Sequence, residues 1–231
     1  MDHSYIENNY REISEHISSA LTRSGRDWND LELVVAIKSA ELDEIEYLVN
    51  ECGVRVVGEN RVQQFLSRYD ALHALGVDIH FIGSLQTNKV KYIIDKVSMI
   101  HSLDRLELAR EIDKQAKKNG IVMNVLVEIN CAKEESKGGV FPEDLEQFCK
   151  EISIFEHINL CGFMTMGPKC EKNSEYLKIF CETYQLVLDI WQKKLHNIDV
   201  PILSMGMSDS FEPAIMAGSN MIRIGRRMFS K

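Results

Sequence analysis

Lys38 follows four apolar residues, Val34-Val35-Ala36-Ile37. An amine at the end of a buried run loses solvation when charged. Desolvation favours its neutral form, the nucleophile that condenses with a carbonyl to give a Schiff base. The plainer alternative is a lysine that meets solvent just past a strand. Nearer the C-terminus, Ser204-Met205-Gly206-Met207-Ser208 brings two hydroxyls around a glycine, and Arg223-Ile224-Gly225-Arg226 brings two guanidinium groups around another. Glycine lets backbone N–H groups approach an anion closely, and serine and arginine side chains donate to one. Ser208-Asp209 is equally suited to capping a helix over Asp209–Ala217.

Groups so far apart in sequence need a scaffold that gathers them. Ile6, Tyr10, Ile13, Ile17, Ala20 and Leu21 recur at helical spacing, and Gly25 stops the pattern. Short apolar runs follow at Leu31–Ile37, Val54–Val57, Ile79–Ile82, Ser98–Ile100, Val122–Ile129, Leu160–Met164, Pro201–Leu203 and Met221–Ile224. Between them lie amphipathic stretches at Asp43–Cys52, Arg61–Leu75, Asn88–Asp95, Asp104–Asn119, Pro142–Ile152, Ser174–Leu195 and Asp209–Ala217. Apolar strands alternating with helices predict a parallel sheet covered by helices, and eight such units predict a closed (β/α)8 barrel. Most of the strands end in polar or small residues: Lys38, Glu59 and Asn60, Gly83, Ser102, Asn130, Thr165, Ser204 and Gly225. In a barrel these ends converge on the C-terminal face, where sites are built. Contact with solvent alone would also explain the serines and asparagines.

Composition narrows the function. The chain has 231 residues, 45% of them hydrophobic, and a formal net charge of -8. That length suits one domain over residues 1–231, and the acidic balance argues against a nucleic-acid partner. No apolar stretch approaches a membrane span, and the polar N-terminus has no apolar signal-peptide core. The six cysteines form no CxxC pair and read as buried, reduced thiols of a cytoplasmic protein. The histidines show no metal-ligand spacing, so no metal site is expected.

In many barrels the loops after strands seven and eight bind phosphate. A phosphate clamp there, with a lysine at the end of strand one, implies a phosphorylated aldehyde between them. Pyridoxal 5'-phosphate (PLP) fits, and so does the sugar phosphate of a Schiff-base aldolase.

The order of the sequence blocks adds to this reading. They are Val34-Val35-Ala36-Ile37-Lys38, Gly58-Glu59-Asn60-Arg61-Val62-Gln63, His80 to Lys89, His101-Ser102-Leu103-Asp104, Val127-Glu128-Ile129-Asn130, Glu134-Glu135-Ser136-Lys137, Gly162 to Gly167, Leu203 to Ser208, and Gly218-Ser219 through Gly225. Through nearly its whole length the chain resembles the YggS/PROSC family of PLP-homeostasis proteins. The resemblance implies a fold-type III PLP barrel like the N-terminal domain of alanine racemase, with an extra N-terminal helix. It implies that Lys38 holds PLP as a Schiff base and that Asn60 sits near the cofactor ring. Ser204, Ser208 and the backbone at Gly225 and Arg226 would bind phosphate, and Arg223 would face the pyridine nitrogen. An arginine there keeps the nitrogen unprotonated and weakens the electron sink. The other use of Arg223 is an inward charge paired with a carboxylate such as Glu59. The chain departs from the family at Ile37, often serine in relatives, at Ser84, and at Arg226-Arg227, where a small residue is common. These departures bear on affinity.

Alanine racemase places a lysine and a tyrosine on opposite faces of the cofactor, the tyrosine coming from a C-terminal domain. This sequence ends six residues after Gly225, and without a second base two-sided proton transfer is not expected. The resemblance therefore implies a non-catalytic carrier that buffers PLP and delivers it to apo-enzymes, and a monomer is expected because the pattern shows no exposed apolar surface. The rival is an amino-acid racemase or Schiff-base lyase. Lys133–Lys137 reads as a charged loop, suited to a lid or a partner contact.

Overall fold

The computed structural model describes residues 3–134, 138–193 and 200–231. Residues 135–137 and the end of the Ser174–Leu195 stretch lie outside them.

Helix α1, Ser4–Arg23, buries Ile6, Ile13, Ile17, Ala20 and Leu21 along one stripe. Its end is closed by Ser24 N–H returning to Ala20 O (3.1 Å), and Gly25 follows at φ +71°. Strand β1 (Glu32–Ala36) then opens the predicted alternation. It continues as α2 (Leu42–Cys52), β2 (Val56–Glu59), α3 (Val62–Ala74), β3 (Asp78–Phe81), β4 (Met99–Leu103), α4 (Leu106–Asn119) and β5 (Met123–Ile129). The chain finishes with α5 (Leu145–Ile152), β6 (Ile158–Thr165), α6 (Asn173–Trp191), β7 (Ile202–Ser204), α7 (Phe211–Met216) and β8 (Met221–Ile224). The strands are parallel and close in sequence order, β8 pairing with β1 as Val34↔Arg223 and Val35↔Ile224. The expected (β/α)8 barrel is therefore present, each expected run contributing one strand.

Two expected helices are shortened. Asn88–Asp95 holds a 3-10 segment over Thr87–Tyr92, enough to cross from β3 to β4. The last helix begins at Phe211, because Asp209 and Ser210 belong to a turn in which Ser210 N–H reaches Met207 O (2.8 Å). No side chain caps α7, so Ser208-Asp209 is not its cap.

Strand alternation sorts the core into two parts. Val35, Ile37, Val57, Phe81, Ile100 and Phe163 pack outward against the helices. Val34, Val56, Ile82, Met99, Leu126, Cys161, Met164 and Met221 fill the barrel interior. Ile37 is fully buried in the outer layer, so the departure from the relatives' serine gives packing. All six cysteines are free, but only Cys149 and Cys161 are buried; Cys52, Cys131 and Cys170 are half-buried and Cys181 is exposed. The expectation of buried thiols thus fails for four of them, because Cys52, Cys131 and Cys170 only edge the outer core and Cys181 lies on the exposed face of α6.

Phe163 has no solvent exposure and meets Trp191 edge-on at 6.0 Å between ring centres. Phe163→Ala is expected to cost about 3–5 kcal/mol through the cavity it leaves, as chemical denaturation would report.

Candidate functional site

Inside the barrel, above the apolar layer, β8 carries a guanidinium. Arg223 is buried, since its alternation with Met221 points it inward. Its Nη1 donates to Ser204 O (2.7 Å) and Ser204 Oγ (2.7 Å), and its Nη2 donates to Thr165 O (3.0 Å). These bonds tie β6, β7 and β8 together. Burial lowers the Arg223 pKa to about 10, with Glu128 working against the shift, so the group stays cationic near neutrality. Of its five N–H donors, the three bonds leave Nε–H and one Nη2–H for another acceptor.

Ser204 also belongs to a longer chain. A guanidinium can only donate, so Ser204 Oγ accepts from Arg223, and it lies 3.3 Å from His101 Nδ1. His101 Nε2 and His80 Nδ1 share a hydrogen bond at 3.0 Å. Burial holds His80 down to about 4 and His101 well below the usual histidine range, with the charges of His80 and Arg223 adding to the effect on His101. Both rings are neutral, as the chain requires. Glu128, on β5, completes the interior charge. Burial first, then the neighbouring Asp104, raises it to about 7, against the pull of Arg223.

The mouth lies above this layer. Lys38 sits two residues beyond Ala36, on the turn after β1, and is exposed. The desolvation expected of it is therefore not observed, because the turn carries it clear of the apolar run. Asn60, just after β2, is half-buried, and its Oδ1 is enclosed without a hydrogen-bond partner among the described residues. Ser102 Oγ is another such atom.

The loops after β7 and β8 come together beside Lys38. Gly206 has φ +97°, and a Cβ there would stand 2.6 Å from Ala214 Cβ, so only glycine fits. Gly225 lies against β1, where a Cβ would be 2.8 Å from Ala36 O. Ser208 is buried and accepts from Arg227 N–H (3.4 Å), leaving its own O–H to donate. The backbone N–H groups of Ser208 and Arg226 have no acceptor among the described residues. A small anion would satisfy these donors together.

The expected residues thus divide. Lys38, Asn60, Ser208, Gly225 and Arg226 follow the C-terminal ends of β1, β2, β7 and β8, strands adjacent in the barrel, and Arg223 lies on β8 itself. The Ser204 hydroxyl is engaged by Arg223 and His101. The Arg226 side chain is 77% exposed and paired with Asp209 Oδ2 at 2.6 Å. Glu59 faces outward to Arg68 on α3 (2.5 Å) and is no partner of Arg223. The Thr165 side chain also serves structure, donating to Ile129 O (2.9 Å). His80, His101 and Glu128 carried no expected role. Their signal was a polar residue at an inward strand position, legible only once the direction of each strand is known.

These features define a class: a parallel barrel of the alanine racemase N-terminal type, with an anion-ready mouth beside a lysine. The alanine racemase N-terminal domain family model matches residues 2–230. The chain is 44% identical over 219 residues to the pyridoxal phosphate homeostasis protein of Aquifex aeolicus, covering 95% of each. It superposes on PipY of Synechococcus elongatus, solved with PLP bound, with a TM-score of 0.81 and 26% identity over 94% of this chain and all of that one. A protein of unknown function from Bifidobacterium adolescentis gives a TM-score of 0.87 at 29% identity, over 99% of this chain and 97% of that one. The chain belongs to the alanine racemase N-terminal domain family and, within it, to the pyridoxal phosphate homeostasis proteins.

The interior charges set opposing pH responses. The histidines contribute stability that is full above pH 6.5 and lost on acidification, because the unfolded chain takes up protons there that the folded protein refuses. Glu128 acts in reverse: its contribution is full below pH 4.5 and lost as pH rises through about 7. Between these limits two histidines oppose one carboxyl. Glu128→Gln should therefore steepen the loss of stability on acidification from pH 6.5 to 4.5, by up to about 1.4 kcal/mol per pH unit. Denaturant midpoints across that range would measure it, and an unchanged slope would rule out the assignment of Glu128.

Proposed function

We propose that this chain is a PLP-binding protein of intracellular PLP homeostasis, holding the cofactor covalently through Lys38 Nζ and releasing it to apo-enzymes. The observation that carries the proposal is that β1, β8 and β7 are neighbours in the barrel, so that Lys38, Arg223 and the backbone donors of Ser208 and Arg226, without acceptors among the described residues, lie at or after the same ends of adjacent strands. The relatives' names and the PLP held by PipY agree with it. When bound, PLP supplies an aldehyde that exchanges reversibly between amines, on an electron-withdrawing ring.

The chain's own residues supply the rest. Ser208 and the backbone at Gly225 and Arg226 would take the phosphate, with Arg226 also able to leave Asp209 for it. Asn60, with an unpartnered Oδ1, would sit beside the ring. Arg223 would donate to the ring nitrogen and, as a cation, keep it unprotonated. Ser204 would act from below by holding Arg223. The exposure of Lys38 suits a carrier, since an incoming amine can reach the bond it must displace. We further propose that residues 1–231 form one domain, working as a cytoplasmic monomer with no nucleic-acid or membrane partner. The net charge of -8 supports this, and no helix among the described residues is long and apolar enough to cross a membrane.

The test is the visible spectrum of the purified protein after incubation with PLP. Wild type should gain a band that borohydride abolishes, leaving cofactor mass on the Lys38 peptide, and Lys38→Ala should gain neither. A colourless wild type would overturn the reading. Release of PLP to an apo-enzyme without conversion of L-alanine to D-alanine is the outcome expected of a carrier; sustained D-alanine formation would make the protein a racemase.

A further inference from the structure

The Lys38 side chain makes no hydrogen bond or ion pair among the described residues, so the backbone beneath it decides where its amine goes. That backbone is a tight turn. Ile37 N–H is held by Gly58 O (3.0 Å), and Ala40 N–H returns to Ile37 O (3.1 Å). Both carbonyls that flank the lysine are held by one side chain. Arg68, buried on α3, donates from Nη2 to Ile37 O (2.9 Å) and from Nη1 to Ala40 O (3.1 Å). Its Nε meets Glu59 Oε1, at the end of β2, at 2.5 Å. The planar fork thus spans the turn from beneath and locks it to the neighbouring strand. Gln64 Nε2 adds a bond to Lys38 O (2.9 Å).

Burying an ion pair between a strand and a helix is costly, and apolar residues of similar size often fill such a place at least as well. What an apolar pair cannot do is hold two carbonyls and a carboxylate in one plane. Lysine cannot do so either, having a point charge without the fork.

We propose that Arg68, oriented by Glu59, is a positioning residue for the Lys38 amine, fixing the turn so that Nζ is presented to the aldehyde of a ligand already seated by its phosphate. This rests on the PLP reading above. An error of about 1 Å in such a placement costs up to roughly a hundredfold in a bond-forming step.

The experiment compares two ligands on wild type, Arg68→Lys and Glu59→Gln. One is PLP; the other is deoxypyridoxine phosphate, which has the same ring and phosphate but no aldehyde. The expected result is that both variants bind the deoxy compound as wild type does, while their affinity for PLP and rate of borohydride-trappable attachment to Lys38 fall about tenfold or more. Equal weakening for both ligands would show a general structural role and overturn the proposal, as would no change for either. Should Arg68→Lys not fold, Glu59→Gln, which keeps the guanidinium and its two carbonyl bonds, decides on the same readouts. If wild type itself bound neither ligand, the PLP reading would fall and the inference with it, an outcome the wild-type arm identifies before any variant is made.

Discussion

A guanidinium inside a closed barrel must be satisfied by the barrel itself, because water cannot follow it there in bulk. Arg223 meets that demand through Ser204 and Thr165, and so draws β6, β7 and β8 into one register at their C-terminal ends. Ser204 passes the constraint to His101 on β4, and His101 passes it to His80 on β3. Glu128 on β5 supplies the opposing charge. The polar floor of the mouth is thus one connected network anchored at one end by a group that can only donate. The histidines must remain neutral for the network to hold, and their burial ensures it.

A second buried arginine does comparable work outside the barrel. Arg68 closes the gap between α3 and the ends of β1 and β2, donating to Ile37 O and Ala40 O at the two ends of the turn. The two arginines have different tasks. Arg223 offers its remaining donors upward to the mouth, whereas Arg68 fixes the backbone from which Lys38 emerges. Between them the lysine is left unencumbered, which suits a residue whose covalent bond must form and exchange.

The loops after β7 and β8 complete the arrangement with little side-chain chemistry. Gly206 and Gly225 allow approaches that a Cβ would block. Amide N–H groups at Ser208 and Arg226 have no acceptor among the described residues, and the charge of Arg226 is held aside on Asp209. Such an exposed pair is weak and can yield the guanidinium to a stronger anion.

The barrel and its eight strands were legible in the order of the residues. Apolar runs and helical stripes are local patterns, and their alternation admits few topologies. The sequence by itself also determined that a lysine ends the first strand and that glycine and serine follow the seventh, because these are facts of order along the chain. Only the tertiary structure decided which way the polar strand-end residues turn. Glu59 points out to Arg68, away from Arg223. Ser204 Oγ accepts from Arg223, and Lys38 is exposed, not in an apolar pocket. Nor could the pairing of His101 with His80 be read in advance, since each lies on its own strand with an ordinary neighbourhood. The physical reason is that periodicity records whether a residue is buried, whereas a polar group's partner is settled by strand direction, register and the long-range contacts that closing the barrel creates.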